Sequence, residues 1–367
     1  MAISKYRIRY YLSGIISVTS LWSICGLFLA YVKFNDMPDA IIMEIYGFSY
    51  LMTKPLLYKI TIFIALVVGI AMGFAHTFLY PMIAKMRNFI ANLLLRFVIF
   101  FFIAFSTLII FLSFSTLPIF KFSKIATLLY TKSVFDVLIY MLVIEVVVGL
   151  ITTLQKNLGR DYFRRVVRNA YFTPRQEYRY FMFTDLKDST ILVEKMGALL
   201  FSSFIQDCFK DFSDDVLNHG GEIYQFVGDE AVITWTSNRN FNPELCVALH
   251  FAFCKRLSSR GNYYLEKYGI FPEFRSSIHS GTVSAALVGI YKTEMAYHGG
   301  VLNLCSRLQS VCRNFGNDIV VSEAFFKKLP DYPENYSFLP IADIELKGIS
   351  ERQLVYKILQ NQTAFPN

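Results

Sequence analysis

The stretch Arg179-Tyr180-Phe181-Met182-Phe183-Thr184-Asp185-Leu186-Lys187-Asp188-Ser189-Thr190 decides how the second half of this chain is read. Residues 180–184 are aromatic and apolar, suit a strand, and stop at an acid. A helical pattern follows over 191–217 and closes at Asn218-His219-Gly220-Gly221. Then Glu222-Ile223-Tyr224-Gln225-Phe226-Val227, the turn Gly228-Asp229-Glu230 and a second apolar run over 231–235 read as a hairpin. One acid thus ends a strand and another tips a hairpin. With the first strand beside the hairpin, Asp185 and Asp229 converge, and two carboxylates at a sheet edge can hold hard divalent cations on oxygen. The run through Ser189 and Thr190 opens a helix, whose first N–H groups can cradle a polyphosphate. Taken singly, Asp185 also reads as a helix N-cap and Asp229 as a turn residue.

Downstream, residues 243–258 read as a helix, 274–279 as a strand leading to Ser280-Gly281-Thr282, and 287–290 as a second short strand. Residues 301–315 have helical spacing: Leu304, Leu308 and Val311 face a core, and Asn303 and Arg307 share another face four residues apart. A strand at 318–321 and a last hairpin around Lys347-Gly348 complete an α+β pattern, helices over a mixed sheet.

Five ordered motifs in this half resemble the catalytic domain of class III nucleotidyl cyclases. They are Phe183-Thr184-Asp185-Leu186 through Ser189-Thr190; Val227-Gly228-Asp229-Glu230; Ile278-His279-Ser280-Gly281; Gly299 through Asn303 to Arg307; and Leu346-Lys347-Gly348. The resemblance covers residues 178–359 and implies a ferredoxin-like α+β core. It implies two Mg²⁺ or Mn²⁺ ions per site, held by Asp185, Asp229 and the carbonyl of Leu186. It implies attack of a ribose 3′-hydroxyl on the α-phosphorus, with Asn303 orienting the ribose, Arg307 stabilising phosphoryl charge and Lys347 meeting the β- or γ-phosphate. The base positions depart from the family: Gln225 stands where adenylate cyclases usually carry Lys, and Ala296 where Asp or Thr is common. An amide donates and accepts, so it can read either purine. The Tyr297-His298-Gly299-Gly300 run resembles a bacterial subgroup of adenylate cyclases, which favours ATP and cyclic AMP. A guanylate cyclase and a catalytically inactive regulatory domain are the alternatives. The family's sites form between two chains. All four key residues stand on this one domain, so a symmetric homodimer is the economical assembly.

The first half is of another kind. The whole chain is 54% hydrophobic, with mean hydropathy +0.41, too apolar for an ordinary soluble protein. The excess lies in residues 1–154, where 11–32, 58–80, 96–115 and 134–154 each match a bilayer crossing. Residues 41–52 read as interfacial. Lys5, Arg7 and Arg9, then Lys85 and Arg87, then the basic residues following 154 mark the cytoplasmic side. The expected place is the inner (plasma) membrane, multi-pass in the lipid bilayer, with the catalytic domain in the cytoplasm. His76 and Glu145 fall inside spans, where ionisable groups are often functional. The alternative is that Glu145 pairs with a neighbouring helix or sits protonated, and that His76 hydrogen-bonds near an interface. Residues 155–177 read as a basic helical connector with Phe163, Val166 and Val167 as a narrow apolar face; 178–360 is the catalytic domain and 361–367 a tail. The net charge of +8 sits near membrane boundaries, so no nucleic-acid partner is implied. Six cysteines show no metal-ligand spacing.

Overall fold

The computed structural model describes residues 4–35, 54–83, 89–114, 132–168, 170–314, 316, 318–330, 335–344 and 353–361. The interfacial stretch 41–52, Lys347 and the tail beyond 361 lie outside the described residues. The chain divides into two units, 8–164 and 165–367 together with 1–7.

The first unit is helical: α1 (Lys5–Phe34), α2 (Lys54–Phe74), α3 (Phe89–Phe114) and α4 (Lys132–Leu158). Beyond α2 the chain continues through a π-helical turn, Ala75–Leu79, and one more α-turn, Tyr80–Ile83. Among the described residues three stretches are long and apolar enough to cross a membrane: Lys5–Val32, Tyr58–Ile83 and Ile139–Leu158. Helix α3 adds a shorter apolar piece, Leu94–Ser106. Val18, Trp22, Met72, Phe100 and Val148 form the bundle core, while Ile24, Phe63, Phe102 and Leu150 point outward. Apolar residues outside as well as inside are what lipid, not water, permits. Gly69 and Gly73 let α2 lie against α1; a Cβ on Gly73 would come within 2.9 Å of the Ile15 carbonyl oxygen. His76 and Glu145, read separately in the sequence, are one buried pair with Nε2 and a carboxylate oxygen 3.2 Å apart. The connector is not one continuous helix with α4. Gly159 takes φ 85°, and α5 (Arg160–Val167) starts after it.

The second unit is an eight-stranded mixed sheet in the order β2-β3-β1-β4-β6-β8-β7, with β5 paired to β4. In chain order it runs β1 (Arg175–Leu186), α6 (Ser189–Met196), α7 (Ala198–Asn218), β2 (Glu222–Val227), β3 (Glu230–Thr236), α8 (Glu244–Ser259) and α9 (Gly261–Tyr268). It continues with β4 (Phe274–Val288), β5 (Glu294–His298), α10 (Gly300–Asn314), β6 (Ile319–Ser322), α11 (Glu323–Phe326), β7 (Tyr336–Ile344) and β8 (Gln353–Gln360). Strand β1 lies antiparallel between β3 and β4, and β4 pairs with β6 in parallel.

Alternation along β1 divides the unit into layers. Tyr180, Met182 and Leu186 enter a core with Phe204, Cys208, Phe212 and Val216 of α7 and Leu249 and Phe253 of α8. The α7 residues recur at helical spacing and give it one apolar stripe. Asp185 belongs to the other face, which α10 covers with Leu304, Leu308, Val311 and Cys312 against Val320 and Val355.

Two sequence readings change. The helix over 191–217 is two helices, because Gly197 takes φ 75° between them. The strands at 274–279 and 287–290 are one strand, and Gly281 lies inside it. There glycine serves packing: a Cβ would meet Val301 Cγ2 at 2.8 Å.

Candidate functional site

The hairpin turn between β2 and β3 is tight, and Gly228 enters it with φ 62°. It leaves Val227 opposite Glu230, and Asp185 of β1 opposite Glu230 on the other side. Asp185 and Asp229 therefore come together as the sequence implied, with Glu230 a third carboxylate beside them. Asp185 is not an N-cap. Helix α6 starts after Asp188, whose backbone is left-handed (φ 55°) and whose side chain makes no cap hydrogen bond. Ser189 and Thr190 thus open α6 with their N–H groups uncapped by that side chain. Lys187 is drawn off by Asp318 at 2.6 Å and Glu273 at 3.0 Å.

The acids are crowded. Burial, then the Asp229 carboxylate, push Asp185 up to about 6, with Arg313 offsetting only part. Burial, Asp185 and Asp229 push Glu230 up to about 7. Asp229 Oδ2 is buried without any hydrogen-bond partner. Like charges gathered around an orphaned oxygen suit a divalent cation, which would relieve both penalties. Among the described residues no three His, Cys, Asp or Glu side chains stand at metal-ligating spacing. Two carboxylates suit an ion of the Mg²⁺ type, which keeps waters and substrate phosphates as its other ligands.

Three nearby residues escaped the sequence reading. Glu230 was legible as the next in-facing position after the turn. Arg275 of β4 is the cross-strand partner of Asp185, and its buried Nε has no hydrogen-bond partner. Arg313, near the end of α10, reaches Asp185 Oδ2 at 3.2 Å; only tertiary structure brings it there.

The remaining predicted residues lie elsewhere. Gln225 is exposed on β2, just past a bulge at Tyr224. Ala296 lies on β5, paired with Ala286. Their neighbours touch: the Tyr224 and Tyr297 rings are 5.0 Å apart. Asn303 is exposed and Arg307 half-buried on α10, and Arg307 Nη1 is buried without a partner. At 1.5 Å per residue, Asn303 sits about 15 Å along α10 from the Arg313 that touches Asp185. His279, from the third motif, is buried with Nδ1 2.6 Å from Ser322 Oγ. Burial pushes it down to about 4, so it is a neutral scaffold residue.

Beneath the base positions lies a charged cluster. Arg179, 1% exposed, bonds Glu177 at 2.7 Å and approaches Glu222 to 3.9 Å. Its guanidinium lies 4.7 Å over the Tyr297 ring. Arg165 holds Glu222 at 2.7 Å, and Tyr171 donates to Glu177. Burial opposes ionisation of Glu177, but the hydrogen bonds from Tyr171 and Arg179 hold it below the ordinary carboxylate range.

Residues 174–360 match the family described as the adenylate and guanylate cyclase catalytic domain. Adenylate cyclase 2 of Rhizobium meliloti (strain 1021) is 30% identical over 223 residues, covering 61% of this chain and 61% of that protein. Adenylate cyclase 1 of the same organism is 26% identical over 213 residues, covering 54% of this chain and 30% of that protein. The chain thus spans less than two thirds of the length of these relatives. A bacterial light-regulated adenylyl cyclase shares the fold, with TM-score 0.53 at 14% identity over 63% of this chain and 67% of that one.

Proposed function

This chain belongs to the adenylate and guanylate cyclase catalytic domain family, and from that premise we propose that it is a membrane-anchored adenylate cyclase. The reaction would convert ATP into 3′,5′-cyclic AMP and pyrophosphate for intracellular signalling. The observation that carries this reading is the convergence of Asp185 and Asp229 at one sheet edge, with Asp229 Oδ2 buried and unpartnered. Asp185, Asp229 and the Leu186 carbonyl would hold two Mg²⁺ or Mn²⁺ ions. When bound, these ions supply positive charge that eases ionisation of the ribose 3′-hydroxyl and neutralises the polyphosphate.

The chain's own residues then divide the remaining work. The uncapped start of α6, at Ser189 and Thr190, offers N–H groups to phosphate, and Arg275 adds charge beside it. Asn303 orients the ribose, so that the 3′-oxygen forms its bond to the α-phosphorus as the bond to the β-phosphate oxygen breaks. Arg307 meets the charge developing on the phosphoryl oxygens; one such donor is typically worth about 10²–10³ in rate. Gln225 and Ala296 face the purine. Lys347 is assigned to the distal phosphates by resemblance. The separation of about 15 Å along α10 between Asn303 and the Arg313 contact with Asp185 supports a homodimer in which each site takes its acids from one chain and Asn303 and Arg307 from the other. The helical unit would anchor the chain in the inner membrane through four crossings, with the catalytic unit in the cytoplasm.

Guanylate cyclase is the second reading. It is favoured by one observation: the amide at Gln225, exposed on β2, suits either purine. Turnover of ATP and GTP by the purified full chain with Mn²⁺ tests both. Cyclic AMP as the main product is expected, with activity lost by about 10³-fold or more in Asp185→Ala and Asp229→Ala while the proteins stay folded. Near-wild-type turnover in either variant would refute the metal assignment. No turnover of either nucleotide by wild type would favour an inactive regulatory domain.

A further inference from the structure

The two purine positions stand on strands that are not neighbours in the sheet. Strands β3, β1 and β4 separate β2, which carries Gln225, from β5, which carries Ala296. An aromatic bridge spans that gap. Tyr224 and Tyr297, the chain neighbours of Gln225 and Ala296, have ring centroids 5.0 Å apart. Beneath the bridge lies one face of β1, where Arg179 and Phe181 point to the same side. The Arg179 guanidinium lies 4.7 Å over the Tyr297 ring, and the Phe181 ring meets that ring edge-on at 5.4 Å. Asp185 belongs to the same face, six residues or about 20 Å farther along.

Burying a guanidinium at this place carries a penalty. Arg179 is 1% exposed, and its Nη1 has no hydrogen-bond partner. An apolar side chain of similar volume is often no worse for stability than a buried ion pair, so stability alone does not account for a cation under Tyr297. What the guanidinium adds is direction. Its Nε bonds Glu177 at 2.7 Å while its plane meets the ring, and a planar fork engaged in both ways keeps its orientation. Further contacts fix the carboxylates. Arg165 holds Glu222 at 2.7 Å, and Glu222 approaches Arg179 to 3.9 Å. Tyr171 donates to Glu177. Tyr171 itself takes φ 77°, a backbone that a bulky residue keeps only where its surroundings over-determine it. The Leu287 N–H of β4 donates to its carbonyl at 2.9 Å.

Resting on the assignment of Gln225 and Ala296 to the purine, we propose that Arg179 is a positioning residue for nucleotide binding. Its buried guanidinium holds the Tyr297 ring against Tyr224 and so fixes the spacing of Gln225 and Ala296 across the purine pocket. It touches neither the base nor the phosphates. Its loss therefore acts on the nucleoside end of the substrate, and the distance along β1 leaves the Asp185 end unaffected.

The test uses the full chain in detergent with Mn²⁺ and two probes, bound calorimetrically. One is α,β-methylene-ATP, which carries the purine and cannot release pyrophosphate. The other is tripolyphosphate, which has no base. Arg179→Met is expected to weaken the nucleotide about tenfold and to leave tripolyphosphate within about twofold. Equal losses of both probes would mark a merely structural residue and overturn the proposal, as would an unchanged nucleotide affinity. Tyr297→Leu should give the same selective loss, and it carries the prediction by itself if Arg179→Met does not fold. The double variant should lose no more than either single, because both remove one contact. Additive losses would overturn the route through Tyr297. Tyr297→Phe keeps the ring and should bind as wild type; a loss equal to that of Tyr297→Leu would overturn the ring contact as the cause. Gln225→Ala checks the underlying reading separately and should weaken the nucleotide alone. No effect there, or no nucleotide binding by wild type, would overturn the purine assignment and the proposal with it. An effect there without one at Arg179 would overturn the proposal alone.

Discussion

Asp185 and Asp229 stand on backbone fixed by ladder pairing on both sides and by a tight turn, whereas Gln225 and Asn303 stand on a bulged edge strand and an exposed helix face. The acids already interact within one chain, where burial and the neighbouring carboxylates raise the proton affinity of Asp185 and Glu230. Among the described residues, Gln225 and Asn303 share no ion pair or side-chain hydrogen bond with a carboxylate. The difference teaches that the acidic region is preorganised by this chain's own fold, while the other region is shaped for something brought to it, either substrate or a second chain.

The largest expected effect comes from splitting the two regions between chains. Asp185→Ala and Arg307→Ala should each be inactive alone. Co-expressed at equal levels, half the dimers are mixed and each mixed dimer keeps one intact site, so activity should return to about a quarter of wild type. Demonstrated heterodimers without recovery would show that the acids and Arg307 of one chain serve one site, and would overturn the shared-site dimer.

The base is expected to respond more modestly. In Gln225→Glu a carboxylate accepts from the guanine N1–H and N2–H₂ and offers adenine no donor. The ratio of kcat/KM for GTP over ATP should rise about tenfold, within the 1–3 kcal/mol typical of one bidentate base contact. An unchanged ratio would move base reading to the pocket wall, where Tyr224 and Tyr297 meet.

Much of this was legible in the sequence. The strand ending at Asp185, the hairpin tipped by Asp229 and the helix carrying Asn303 and Arg307 all announce themselves by period and punctuation. Glycine was the ambiguous sign. Gly197 and Gly159 break helices through positive φ, yet Gly281 runs inside a strand because Val301 packs on it. Nothing local separates the two uses. The cluster of Arg165, Glu177, Arg179 and Glu222 was also invisible, since a buried charge identifies its partners only after strands and connector meet. The pairing of His76 with Glu145 was hidden for the same reason: the two lie on different helices.

The smallest effect concerns Arg313, the contact that most directly sharpens the contrast. It lies 3.2 Å from Asp185 Oδ2 and is largely exposed, so its ion pair is worth only about 0–1 kcal/mol. Its charge favours the ionised carboxylate, yet it also repels any cation that Asp185 is to hold. Since Asp229 and Glu230 remain to attract the ion, repulsion should decide the sign. Arg313→Ala should therefore bind Mn²⁺ more tightly, by up to about fivefold, when titrated calorimetrically without nucleotide. Weaker binding would reverse the sign: Arg313 would be orienting Asp185 for the metal, and the acidic region would owe part of its preorganisation to α10.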